Sequence, residues 1–226
     1  CDDKKLLEVA ETSLRGKVAD TTLGSFPPLI VKALSTVLDN RGEASAQHVS
    51  MFKSGIGSIR DSELVNGIIL RRRVLMDNLP NDLRDAKVVC LNGELKIREM
   101  SRDAEMKITS ADDLDSFIEA EKDRKEEISR SILESGARVV LCSGEIDKDI
   151  LHMLCEKSIL AVEGLDSSEL RNASGATGAR IVENPLDIAE SDLGQCGSAS
   201  WERKPASSEV EDVIRIEECP NPSVVT

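Results

Sequence analysis

The sequence predicts an α/β fold: a sheet flanked by helices, with one helix standing out as an arm, preceded by a small, mostly helical segment. Three observations predict it. From Gly136 onward, short β-rich apolar runs alternate with helical patterns. Before that region lies a long charged helix whose apolar residues gather at its two ends. The first forty residues carry two amphipathic helical stripes and no strand pattern.

In chain order, Leu6, Leu7, Ala10, Leu14 and Val18 recur at near-helical spacing. A second stripe of Phe26, Leu29, Ile30, Ala33, Leu34, Val37 and Leu38 follows Ser25 as N-cap. Pro27 and Pro28 open it, where a missing N–H is tolerated. A linker-like stretch over 39–47 leads to a short extended segment over 48–52 and then to Gly55-Ile56-Gly57-Ser58. That glycine pair lacks the third glycine, the helix opening and the lysine of a phosphate loop, so none is assigned. Strand-like runs then cover 67–72, 87–91, 95–98 and 104–109, and the change of pattern places a domain boundary near Ser62, dividing 1–62 from 63–226. Beyond Gly136 come a strand over 137–142, a helix over 147–157, a strand over 159–162, a helix over 167–173 and a strand over 179–182. Such β-α-β units imply a parallel sheet with right-handed crossovers. Strands at 199–203 and 213–217 complete the pattern.

The arm is the helix over 110–135. Ser110 followed by Asp113 is a start signal related to the capping box, and Gly136 stops the helix. Leu114, Phe117 and Ile118 cluster near its start and Ile128, Ile132 and Leu133 near its finish. From Glu119 to Glu127 only Ala120 interrupts the charged residues, so this middle has no face for a core. Pairs such as Glu121 with Lys125 and Glu126 with Arg130 contribute a few tenths of a kcal/mol each, too little without packing at the ends. The helix is expected to be anchored at its C-terminal end and to project over about 108–127. The bland alternative is a surface helix whose charged middle crosses a solvent gap.

Composition narrows the function. Hydrophobic residues make up 40% of the chain, enough for a core, but aromatics only 2%, so that core is built from Val, Ile, Leu and Ala and few rings remain to stack on bases. A net charge of −13 repels a phosphate backbone, which sets nucleic acid aside as a partner. The one dense basic run, Arg71-Arg72-Arg73, reads as the solvated end of a strand. Six cysteines without a C-x-x-C pair read as reduced, buried thiols in a cytosolic protein. His48 and His152, the two histidines, have no ligand-like spacing, so no metal site is expected. No apolar run approaches the ~20 residues that cross a bilayer, which points to a soluble, cytoplasmic chain with no membrane partner.

The order of short motifs resembles a known family, the group II chaperonins of the archaeal thermosome type and the eukaryotic cytosol. Glu63-Leu64-Val65-Asn66-Gly67 is similar to the entry of their apical domain, and Asp85-Ala86-Lys87-Val88-Val89-Cys90-Leu91 to the core strand that follows. Asp103-Ala104-Glu105-Met106-Lys107-Ile108-Thr109 resembles the strand leading into their helical protrusion, and Gly136-Ala137-Arg138-Val139-Val140-Leu141-Cys142 the strand after it. Ile146-Asp147 with His152 and Leu154, then Ala176-Thr177-Gly178-Ala179, Asp192-Leu193-Gly194 and Asn221-Pro222-Ser223-Val224-Val225-Thr226 continue the order. Each piece is weak alone, and their colinearity carries the resemblance. The chain departs from the family at Glu163-Gly164-Leu165-Asp166, where a basic stretch is usual, at Met153, where a tyrosine is common, and after Gly194. It resembles a divergent archaeal paralogue.

The resemblance implies that 1–62 is the outgoing piece of an intermediate hinge domain and 63–226 an apical, substrate-binding domain whose protrusion forms a lid. It implies non-native polypeptides and other subunits of a double ring as partners. ATP and Mg2+ are implied for a longer parent chain, whose glycine-rich phosphate motif has no counterpart here, so this segment is expected to be no enzyme and to hold no cofactor. Leu114, Phe117 and Ile118 are the implied lid or client contacts, and Lys148, His152 and Met153 the implied inward-facing residues of the following helix. Against this, Met153 could pack on the sheet with Ile150 and Leu154, and His152 could be an ordinary hydrogen-bonded residue. A second function class stays open: Cys142-Ser143-Gly144 and Glu163-Gly164 fall at strand ends, where a small-molecule α/β enzyme would hold its ligand.

Overall fold

A computed structural model describes residues 3–17, 24–38, 48–53, 61–97, 111–203, 212–220 and 223–226, with the backbone alone at 111–115 and 117. Helices α1 (Asp3–Leu14) and α2 (Phe26–Thr36) pack on each other. The expected stripe of α1 turns Leu7, Ala10 and Leu14 half inward and leaves Leu6 and Val9 exposed. α2 opens with Pro27 and Pro28 and buries Ala33 and Val37 in a small core with Val225, flanked by Val49 and Leu64. Ser50 N–H donates to the Val225 carbonyl at 2.8 Å and Val65 N–H to that of Thr226 at 2.8 Å. The last residues therefore tie the helical segment to the α/β part. Val18 and the readings over 39–47, 55–58 and 104–109 lie outside the described residues.

The large core is a seven-stranded mixed sheet in the order β1 (Ile68–Arg71), β7 (Val213–Glu217), β6 (Gly194–Glu202), β2 (Asp82–Leu91), β3 (Val139–Cys142), β4 (Leu160–Val162), with β5 (Ile181–Val182) beside the end of β2. The expected parallel pairing holds for β2, β3, β4 and β5. On the other side, for which the β-α-β pattern made no claim, β1–β7, β7–β6 and β6–β2 run antiparallel. For β6 and β7 the reason is connection length: about ten residues separate them, too few for the crossover a parallel pair requires. The apolar runs at 88–91, 139–142 and 160–162 are buried throughout, as strands covered on both faces must be.

Right-handed crossovers place α3 (Ala111–Ser135) and α4 (Lys148–Glu156) on one face of β2-β3-β4. The chain then turns back past β2, so α5 (Ser167–Thr177) covers the other face, against β1, β2 and β6. Three expected boundaries of the α/β part shift by four residues or more. α5 runs four residues past 173 to end at Gly178, whose φ of 77° suits the left-handed cap. β2 begins at Asp82 and β6 at Gly194 because each supplies the other's ladder, from Asp82 opposite Ser200 to Val88 opposite Gly194. The run from 95 makes no strand: Leu95 is buried and forms a single bridge with Ile146.

The five described cysteines, Cys90, Cys142, Cys155, Cys196 and Cys219, are free and buried. Burial pushes the Cys90 thiol from 9.0 to about 12. It takes Cys142 and Cys196 to about 11, and Cys219, also beside Cys196, to about 12. These thiols keep their protons in the fold at a pH where the unfolded chain has lost them. Their contribution is complete below about pH 9 and drains away as pH rises toward 12, by at most about 1.4 kcal/mol per pH unit per thiol. Urea midpoints are thus expected to fall between about pH 7 and about pH 10.5. A thiol reagent at neutral pH should label these residues only on unfolding; rapid native labelling would contradict their burial.

Candidate functional site

α4 carries Lys148, His152 and Met153. Its start is fixed from several directions. Asp147 caps it, accepting the Asp149 N–H on Oδ1 at 2.9 Å, and Asp147 N–H donates to the Leu95 carbonyl at 2.8 Å. The Glu163 carboxylate accepts the Ile146 N–H at 2.7 Å, which gives that unusual acidic residue a structural task. Ile150, Leu151, Leu154 and Cys155 face inward. The outward stripe holds Lys148, Asp149, His152 and Glu156 exposed, with Met153 half-buried at its edge. The structure thus brings Lys148 and His152 together one turn apart on one open face. That face is mixed in charge and mostly polar, with the Met153 thioether as its apolar element.

α3 is continuous over 25 residues. Leu114 and Phe117 lie in its first turns, with their side chains outside the described residues. Ile118 is 55% exposed, and Ser116, Glu119 and Ala120 beside it are exposed too. Toward the other end Ile128 and Ile132 are buried, while Leu133 is exposed. The expectation that the charged middle has no buried face is corrected by Lys125, which is only 9% exposed. Its ammonium donates to Asp149 at 2.8 Å and lies 2.9 Å from Glu121 and 3.3 Å from Asp147. Burying a lysine is tolerable here because three carboxylates take its three donors. The hydrogen bond to Asp149, then that to Glu121, holds the Lys125 ammonium well above its usual range, and the same contact lowers Asp149. Sequence reasoning missed Lys125. The available signal was its place three and seven residues before Ile128 and Ile132, on the same stripe. Of the expected helix-surface pairs, Glu121 with Lys125 is present, whereas Glu126, expected to meet Arg130, pairs with Lys122.

The strand ends proposed for a small ligand are knitted to one another instead. Gly93 N–H donates to Ser143 Oγ at 2.9 Å, Ser143 Oγ–H to Asn92 Oδ1 at 3.2 Å, and Gly144 N–H to the Gly93 carbonyl at 2.8 Å. A Cβ on Gly144 would stand 2.5 Å from that same carbonyl oxygen. A groove of about 660 Å³ lies elsewhere, open and polar, between Arg130 and Glu134 of α3 and Leu186 and Ile188. Among the described residues no group of three His, Cys, Asp or Glu side chains is placed to hold a metal, and no helix is long and apolar enough to cross a membrane. Nor is the arginine triplet a solvated strand end as a whole. Arg71 lies 4.5 Å from the centre of the Phe52 ring, while Arg72 is half-buried, donates to the Gly164 carbonyl at 2.9 Å and pairs with Glu169.

The mixed sheet carries a long charged helix with a short capped helix packed on it, and the chain belongs to the TCP-1/cpn60 chaperonin family, which it matches over residues 1–226. Its similar relatives are thermosome subunits. It is 34% identical over 226 residues to a thermosome subunit of Methanothermococcus thermolithotrophicus and 33% identical over 225 residues to the thermosome subunit beta of Methanothermobacter thermautotrophicus, covering all of this chain and 41% of each relative. The open-state monomer of a group II chaperonin from Methanococcoides burtonii has the same fold, with a TM-score of 0.72 at 23% identity, covering all of this chain and 50% of that one. The chain thus spans about two-fifths of the length of the relatives it matches.

Proposed function

We propose that this chain is the client-binding and lid-forming part of a cytoplasmic group II chaperonin, with 1–62 as the outgoing hinge piece and 63–226 as the apical domain. The observation that carries the reading is Ile118: a large apolar side chain, 55% exposed, on a helix whose C-terminal half is anchored in the core. Leu114 and Phe117 share that helical length. A non-native polypeptide gains ~25 cal/mol for each Å² of apolar surface it buries there, an affinity that is weak and tolerant of sequence. Lys148, His152 and Met153 on α4 supply a second, polar contact. In a double ring, neighbouring arms would bury one another's tips, so closure would hide the client-binding surface and free the client inside.

ATP and Mg2+ would act in a longer parent chain. The N-termini of α4 and α5 are unsuited to a nucleotide phosphate, being filled by the carboxylates of Asp147, and of Asp166 with Glu169. No catalytic step is assigned to this chain.

The test uses reduced, carboxymethylated lactalbumin as a permanently unfolded client. The chain is expected to bind it and not native lactalbumin, and Ile118→Asp should weaken binding about five- to tenfold with Tm unchanged. No binding by the unaltered chain, together with a metabolite that raises Tm by several degrees, would overturn the reading in favour of a small-molecule enzyme.

A further inference from the structure

We infer that Lys125 is a positioning residue that marks where the rigid base of α3 ends and couples the arm to the first turn of α4. Toward the N-terminus of α3 it is the outermost buried side chain among the described residues, and beyond it 118–120 and 122–124 are exposed. Ile118 sits two turns further out, roughly 10 Å along the axis. The first turn of α4 meets Lys125 twice. Asp147 uses one carboxylate oxygen to cap Asp149 N–H and the other to face the ammonium at 3.3 Å, and Asp149 accepts from it at 2.8 Å. Glu121, at 2.9 Å, closes the set from α3 itself.

Two links follow from one charge. Without the ammonium, Glu121, Asp147 and Asp149 lose the cation they share, and among the described residues Lys96 beside Asp147 and His152 beside Asp149 remain to offset part of their charge. Their mutual repulsion acts on the outer turn of α3 and on the α4 cap together. The nearest remaining anchor on α3 is the pair Ile128 and Ser129, one turn further in, where Ser129 Oγ donates to the Lys125 carbonyl at 2.9 Å. The free part of the arm then lengthens by about one turn. The α4 face also loses one of the contacts that fix its origin, since Lys148 lies between Asp147 and Asp149, and His152 is one turn on. This inference rests on the client-binding reading only for its functional consequence; the coupling itself is a property of the fold.

Hydrogen exchange on the 226-residue chain separates the two. In Lys125→Met, amides of 121–127 and of 147–151 are expected to lose about tenfold in protection together, with 128–135 unchanged. Lys125→Arg, which keeps the charge and can reach the same carboxylates, should restore both regions. Affinity for carboxymethylated lactalbumin should fall in Lys125→Met and recover in Lys125→Arg. Unchanged protection in Lys125→Met, or loss in α3 without loss at 147–151, would overturn the coupling. A global fall in protection extending to β2 and β3 would also overturn it, showing that Lys125 merely holds the fold. If the unaltered chain binds no unfolded client, the proposed function falls, while exchange still decides the role of Lys125.

Discussion

Replacing Gly67 by alanine is expected to cost about 3 kcal/mol or more, enough to leave β1 detached or the chain unfolded. Gly67 ends the Glu63-Leu64-Val65-Asn66-Gly67 run and leads into β1, whose first residue, Ile68, pairs with Ile216 of β7. A Cβ at Gly67 would stand 2.0 Å from the Ile216 carbonyl oxygen and 3.0 Å from Glu217 Cα. Its φ of 156° adds a backbone setting that side chains rarely adopt. The clash is with the β7 backbone alone, so no rotamer change relieves it; β1 must move away from β7. That movement also pulls on Val65, whose N–H and carbonyl both bond Thr226. The small helical core around Val225 should therefore loosen with the sheet edge. Gly178→Ala is the control: its φ is 77° but an added Cβ meets nothing within 4 Å, so only the left-handed penalty of about 1 kcal/mol is expected. Urea unfolding of the two variants separates steric exclusion from backbone preference. Equal losses would contradict the close approach of β7.

Asp212→Ala should be the second severe change, with a loss of about 3 kcal/mol. This carboxylate is fully buried, accepts the Val74 N–H at 3.0 Å and pairs with Arg203 at 2.9 Å. Arg203 in turn donates to the Val74 carbonyl at 2.9 Å and lies 5.1 Å from the centre of the Trp201 ring. The Trp201 indole N–H donates to the Pro80 carbonyl at 3.1 Å. One carboxylate thus pins the segment after β1 against the β6 and β7 strands, and its removal leaves the Val74 N–H without its acceptor and Arg203 with only the Val74 carbonyl and the exposed Asp77 carboxylate. Trp201 is the chain's one tryptophan, so its fluorescence reports this site directly. Asp212→Asn, which keeps an acceptor for Val74, should lose less. A native emission spectrum and an unchanged midpoint in Asp212→Ala would refute this account of the cluster.

How much of this was legible in the sequence depends on whether a residue's task is set by its neighbours in the chain or by distant ones. The runs at 88–91, 139–142 and 160–162 announced buried strands because both faces had to be apolar. The caps of α4 and α5 lay within three residues of what they cap. β6 was half hidden, since Gly194 to Ser198 has little strand character and is held by the β2 and β7 ladders. The antiparallel half of the sheet was hidden for the same reason. At the site, the exposure of Ile118 and His152 followed from position along their helices. Lys125 did not, because lysine in a charged stretch is ordinarily solvated, and the three carboxylates that bury it come from two helices. Arg72 and Glu169, 97 residues apart, are a second case in which only the fold shows that two charges meet.

The central claim is that the outer part of α3 and the open face of α4 hold non-native polypeptide. Carboxymethylated lactalbumin carrying a photo-crosslinker, irradiated with the 226-residue chain, tests it most directly. The account predicts adducts concentrated at 111–120 and at Lys148, His152 and Met153, competed away by unlabelled unfolded client and absent with native lactalbumin. Adducts concentrated instead along the groove at Arg130, Glu134 and Ile188, or spread evenly over the surface, would contradict it.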